Sequence, residues 1–170
     1  KMFEILGFTP EKAEEQFAKD PVAQANRESL RNFLTSNNYA QSRTAGVITI
    51  PVVVHVIYKD ATQNISDAQI ASQIKIFNDD FRKLNTDFNA VVPAVFKPMA
   101  ADLELSFCLA TKKPDGSATT GVERKSVASS FNFDNNYYKA SGLTAWDPTK
   151  YLNIWVGAFT DQRLLGWAYP

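Results

Sequence analysis

The chain predicts an α+β fold, and three observations carry that prediction. Val47–Tyr58 is a run of β-branched residues that becomes apolar on both parities in its second half, the pattern of a strand covered on both faces. Ile70, Ile74, Phe77, Phe81 and Leu84 recur at helical intervals and form one apolar stripe, as on a helix that packs against a sheet. Two further alternating runs, Ala101–Ala110 and Tyr151–Val156, supply more strands. With 170 residues, of which 45% are hydrophobic, the chain can fill the core of one domain and carry an appendage.

Residues 1–45 differ in kind from the rest. Thr9-Pro10-Glu11 opens a helix with a capping threonine, proline at the first position and an acid in the first turn. Lys19-Asp20-Pro21 ends it, and Asp20 and Pro21 start a second helix that reaches about Leu34. Neither helix has enough apolar anchors to form its own core, so 1–45 reads as an appendage and 46–170 as the main domain. Gln41-Ser42-Arg43-Thr44 reads as a polar loop between the two.

Inside the first strand stands His55, the only histidine. It reads as a satisfied, half-buried strand histidine rather than a ligand or base, because no carboxylate or second ligand lies near it in sequence. Lys59–Asn64 is a turn. Ser66-Asp67-Ala68-Gln69 is a capping box, and Ile65 with Ile70 has the spacing of a hydrophobic staple, so the striped helix starts there and runs to about Leu84 or Asn85. Prolines punctuate 91–98.

Over Ala101–Ala110, Leu103, Leu105, Phe107 and Leu109 take one face and Asp102, Glu104, Ser106 and Cys108 the other. Asp102 and Glu104 thus share a strand face, a pairing able to bind a cation or do acid–base work, though a solvated face is the preferred reading. Cys108, the only cysteine, excludes an intrachain disulfide and reads as a small buried residue. Pro114-Asp115-Gly116 is a turn, Val122–Val127 a short strand, and Ser126–Gly142 a loop anchored by Phe131, Phe133, Tyr137 and Tyr138.

The final stretch, Lys150–Pro170, holds two runs. Leu152, Ile154 and Val156 alternate with Tyr151, Asn153 and Trp155, and after a polar bend Leu164-Leu165-Gly166-Trp167-Ala168-Tyr169 reads as a second strand. Gly166 marks a place where another backbone comes close.

Lys plus Arg and Asp plus Glu are 18 each, so no charge excess points to nucleic acid or an anionic membrane. The longest apolar run, Ile50–Ile57, is too short to span a bilayer. Lys1–Glu4 is not followed by the apolar stretch of a signal peptide; a signal could have been removed before this numbering begins. No H-E-x-x-H, G-x-S-x-G, P-loop or G-x-G-x-x-G pattern occurs, and one histidine cannot make a multi-histidine zinc site. Residues alone give no catalytic constellation.

The order of segments carries more. Ile50-Pro51-Val52-Val53-Val54-His55-Val56-Ile57-Tyr58, the helix from Ile65-Ser66 to Phe77-Asn78-Asp79-Asp80-Phe81-Arg82-Lys83-Leu84-Asn85, the run Ala101–Ala110, Ala145-Trp146-Asp147-Pro148 with Tyr151–Val156, and Leu164–Ala168 before Pro170 follow one another at suitable spacing. Together, over about Val47–Pro170, they resemble the N-terminal half of a pappalysin-family zinc metallopeptidase of the metzincin clan.

The resemblance implies a secreted, calcium-stabilised zinc endopeptidase acting on proteins or peptides. It implies an upper subdomain with a twisted, mixed and mostly parallel sheet backed by helices, preceded by a helical pro-segment at 1–45 with its maturation site at 41–44. It also implies an antiparallel edge strand at Leu164, Leu165, Gly166, Trp167 and Ala168 that forms the rim of the cleft and pairs with an extended substrate, an attachment that bare strand edges favour. The family's zinc helix, H-E-x-x-H-x-x-G-x-x-H, would follow Pro170, so no residue here is carried over as catalytic or as a metal ligand, and the 170 residues alone would be inactive. The pro-segment cysteine that caps the zinc in some members of the family has no counterpart, since 1–45 contains no cysteine. A rim and a subdomain face left bare would favour dimerisation. The rival reading is a non-catalytic sheet module for protein binding or adhesion.

Overall fold

A computed structural model describes residues 21–36, 46–161, 163–166 and 168. It divides into two compact units. Gly46–Thr160 is one; Pro21–Ser36 and the described residues from Asp161 onward belong to the other.

In the smaller unit, helix α1 spans Pro21–Ser36, with proline at its first position as the sequence predicts. Near its end the Thr35 hydroxyl donates to the carbonyls of Arg31 (3.0 Å) and Asn32 (3.1 Å). The helix predicted from Thr9 and the loop at 41–44 lie outside the described residues.

The larger unit is built on strand β1, Ile48–Tyr58, whose residues 52–57 are all buried. Helix α2, Asp67–Phe81, starts at the predicted capping box: the Gln69 N–H donates to the Ser66 hydroxyl (3.2 Å) and the Ser66 N–H to the Gln69 side chain (3.0 Å). Ile65 and Ile70 pack into one cluster, which completes the staple. The helix stops earlier than its stripe suggests. Lys83 takes a left-handed conformation (φ 53°) and the Leu84 N–H turns back to the Asp79 carbonyl (2.7 Å), so Leu84 ends exposed rather than in the core. A short helix α3, Phe88–Val91, and a 3₁₀ turn, Lys97–Met99, lead to strand β2, Leu105–Leu109. Strand β3 is Val122–Ser126, helix α4 is Phe133–Asn136, and strand β4 is Leu152–Val156.

The fold is α+β with a parallel sheet backed by helices. All three strand pairings run parallel to β1: Ile48–Val52 with β2, Val54–Tyr58 with β3, and Val52–Val56 with β4. β2 and β3 take successive halves of one edge of β1, and β4 takes the other edge. Gly121 sits at the handover between the halves. Its φ is +76°, and a Cβ there would meet the Ala110 nitrogen at 2.7 Å, so glycine is required.

Two layers cover the sheet. On one face Val52, Val54, Val56 and Phe107 pack with Ile70 and Ile74 of α2, joined by Ile154 and Val156 from β4. Burial of each large apolar side chain there contributes about 1.5–3 kcal/mol. Arg124 of β3 fastens the start of α2, donating to Asn64 Oδ1 and to the Ile65 carbonyl (2.7 Å) and pairing with Asp67. On the other face Val53 and Ala110 pack with Trp146 and Tyr151 from the segment before β4.

Asn78 of α2 closes the outer edge of β2. The bonds Ile48 N–H to Glu104 C=O and Ala110 N–H to Val52 C=O turn the even residues of β2 toward β1, so Phe107 presents its N–H and C=O outward. The Asn78 amide meets both: its Oδ1 accepts from the Phe107 N–H (2.6 Å) and the Ser106 hydroxyl (3.0 Å), and its Nδ2 donates to the Phe107 carbonyl (2.9 Å). Asn78→Ala reopens that edge, with an expected loss of about 2 kcal/mol in urea unfolding from the stranded backbone groups.

Two strand expectations are corrected. Ala101–Glu104 is not strand. Asp102 Oδ1 accepts from the Glu104 N–H (2.8 Å), Glu104 is left-handed (φ 55°), and Leu103 is exposed. The expected antiparallel strand at 164–168 is not formed at its described residues, Leu164, Leu165, Gly166 and Ala168; Trp167 lies outside them. There Asp161 makes a tight turn, accepting at its carbonyl from the Leu164 N–H (3.0 Å) and at Oδ1 from the Arg163 N–H (3.0 Å).

Candidate functional site

Two places concentrate features beyond packing: the buried polar group around His55 and the stretch after Asp161.

His55 is 0% exposed, more deeply buried than its sequence suggests. Parallel register places Glu123 of β3 and Trp155 of β4 beside it on the same sheet face. Its Nδ1 lies 3.0 Å from Glu123 Oε2 and its Nε2 2.9 Å from Asn153 Oδ1. Trp155 stacks on the ring (centroids 4.9 Å, planes 23° apart), and Trp146 meets it edge-on at 6.4 Å.

Asn153 is the hub. Its Oδ1 also accepts from the Trp146 N–H (2.8 Å), and its Nδ2 donates to the carbonyls of Trp146 (2.9 Å) and Tyr151 (3.3 Å). The Trp155 indole N–H donates to the Leu143 carbonyl (2.7 Å), and the Lys125 ammonium to the carbonyls of Ala140 (2.9 Å) and Gly142 (2.8 Å). Polar groups of β3 and β4 thus hold 137–151 onto the sheet. Just past Trp146, the Thr149 hydroxyl, then its N–H, and Lys150 hold the Asp147 carboxyl below the usual aspartate range.

Asn153 and Glu123 escape sequence reading as partners of His55, since they lie 98 and 68 residues away. One signal was present: an asparagine in a strand interior is uncommon and wants hydrogen bonds.

The residues read as a substrate rim lie in the other unit. Leu165 is 85% exposed, and a Cβ built on Gly166 meets nothing within 4 Å. Gly166 and Ala168 are also exposed, and Leu164 is half-buried.

The remaining candidates separate. Asp102 is engaged by Arg82 (2.9 Å), whose hydrogen bond, followed by that of the Glu104 N–H, lowers the carboxyl below its ordinary range, and no strand face joins it to Glu104. Cys108 is exposed, not buried. Its parity opposite Phe107 is as predicted, but the Trp146 layer does not cover that end of the sheet. Among the described residues no group of three His, Cys, Asp or Glu could hold a metal ion. Both nitrogens of His55 are engaged, so these residues do not fit zinc. Among the described residues no helix is long and apolar enough to cross a membrane.

Comparison with known structures finds similar proteins. The chain matches mirolysin in complex with compound 9 at 41% identity and a TM-score of 0.64 over 69% of its length. It matches Tannerella forsythia mature mirolysin in complex with a cleaved peptide at 42% identity and 0.60 over 67%. A mutant of Tannerella forsythia promirolysin matches at 37% identity and 0.65 over 83%. The fold is that of the metzincin clan of zinc metallopeptidases. The chain spans under half the length of the mirolysin chains: 45%, 44% and 47% in the same order. The match to the mature form covers 67% of the chain and the match to the pro-form 83%. Neither a family model nor a curated protein matches the chain.

Proposed function

We propose that this chain is the pro-segment and upper subdomain of a secreted zinc endopeptidase of the pappalysin family, cleaving peptide bonds in proteins. The observation that carries the reading is the 37% identity to promirolysin over 83% of the chain, against 67% for the mature form. Residues 1–45 are the pro-segment, and 46–170 the upper subdomain. Zinc, and calcium as a stabilising ion, belong to the complete enzyme, with the zinc ligands outside these 170 residues.

The rim is Leu164–Ala168, which takes an extended peptide by main-chain pairing once it lies in strand conformation. The mirolysin complex with a cleaved peptide supports a peptide substrate, and the open surroundings of Gly166 leave room for a second backbone. Self-association through the same edge is the expected competitor of peptide binding.

The test is a cleavage assay of the full gene product on an unfolded protein substrate, with and without a chelator. Chelator-sensitive cleavage is expected there and none from the 170 residues alone. In the full enzyme Leu165→Pro, which deletes a rim N–H, should raise KM about tenfold, the effect of about 1.4 kcal/mol of lost binding. Cleavage by the 170-residue chain, or a gene product that binds partner proteins without hydrolysis, overturns the reading; the latter result favours a non-catalytic sheet module.

A further inference from the structure

We propose that His55 and Glu123 form a protonation switch with one mobile proton, carried on Nδ1 of the imidazole, while Nε2 keeps its proton in both states. The orientation of Asn153 decides this. Its Nδ2 is committed to the carbonyls of Trp146 and Tyr151, so its Oδ1 faces both the Trp146 N–H and His55. An amide oxygen only accepts, so Nε2 is the donor. The other neutral tautomer would set a lone pair against that oxygen. Turning the amide to suit it would break its bonds to Trp146.

Nδ1 faces the Glu123 carboxylate at 3.0 Å. With both ring nitrogens protonated, the contact is a charge-assisted hydrogen bond. When the Nδ1 proton passes to solvent, a lone pair and a carboxylate oxygen face each other with no hydrogen between them. The ring cannot yield, being fully buried, bonded to Asn153 and stacked on Trp155. Glu123 can, since its side chain is 26% exposed. Loss of one proton therefore releases Glu123 from the ring and leaves the second layer fastened through Asn153.

The other ionisable groups on this layer are engaged elsewhere. Lys125 of β3 is held by two loop carbonyls, and Asp147 by Thr149 and Lys150. The Tyr151 hydroxyl donates to the Lys112 carbonyl, and Tyr137 packs on Trp155. β4 contributes only the neutral Asn153 and Trp155 to this face, and Cys108 of β2 lies opposite Pro51, four residues along β1 from His55.

Because the chain has a single histidine, its two ring nitrogens can be followed without ambiguity in a nitrogen-15 pH series on the labelled 170-residue protein. Nε2 should read as N–H throughout, Nδ1 alone should change from protonated to lone-pair character, and the Glu123 carboxyl carbon should move with the same midpoint. In Glu123→Gln the Nδ1 midpoint should move to lower pH as the facing charge is lost. Loss of the Nε2 proton, a Glu123 carbon that moves independently, or an unmoved midpoint in the variant overturns the proposal. The wild-type spectrum decides the first two even if the variant fails to fold.

Discussion

Asn153→Ala is expected to lower the unfolding free energy by about 3 kcal/mol or more, read as a shift of the urea midpoint at constant slope. The side chain serves four partners: the His55 ring, the N–H and C=O of Trp146, and the Tyr151 carbonyl. Alanine leaves the ring N–H of His55 without an acceptor at a site with no solvent exposure, and each buried polar group stranded in this way costs about 1–3 kcal/mol. Asn153→Asp keeps the acceptor and loses the donor, so it should cost less than alanine. Trp146 and Trp155 flank the site, so the alanine variant should also lose near-ultraviolet circular dichroism. A loss below about 1 kcal/mol would mean that the polar hub contributes little to holding 137–151 on the sheet.

Phe107→Ala should cost about 4 kcal/mol, within the range for deleting a buried phenylalanine. The Phe107 ring packs edge-on against Phe81 (4.9 Å) and Phe77 (5.8 Å) of α2, in the cluster that joins helix to sheet. Its backbone bonds to Asn78 survive the change, so the loss isolates packing. Phe107→Leu keeps much of the volume and should cost under about 1.5 kcal/mol. Phe96→Ser, at an exposed position, should stay within about 0.5 kcal/mol of the parent. Equal losses at 107 and 96 would show that α2 is not fastened to the sheet through this ring.

Periodicity made much of the fold readable. β1, the capping box and staple of α2, and the two faces of β4 all follow from spacing, because each is decided by residues within a few positions of one another. The misreadings arise where a local polar contact or a distant neighbour overrides the pattern. Leu103 alternates correctly with Leu105, yet Asp102 hooks the Glu104 N–H and ends the strand at 105. Leu84 fits the helical stripe, yet the chain turns at Lys83. Cys108 has the predicted parity but is exposed, at a sheet end outside the cluster that Val53, Ala110 and Trp146 form. His55 reads correctly as a satisfied residue, but the two that satisfy it come from strands that only the folded register brings alongside. At Leu164, Leu165, Gly166 and Ala168 the pattern is a strand pattern, yet the chain turns at Asp161 and these described residues are not strand.

The arrangement of strands around β1 has a consequence for synthesis. Each partner strand lies far downstream: Val52 pairs with Leu109 on one side and with Leu152 on the other, the latter roughly a hundred residues further along the chain. A nascent chain leaving the ribosome thus displays an eleven-residue, largely apolar β1 with one edge bare until β2 and β3 have emerged and the other bare until β4 has emerged, and closing such distant pairs is slow. Until then α2 can shield one face but not the edge that β4 takes, so the interval before Val156 appears is when this protein most needs a chaperone.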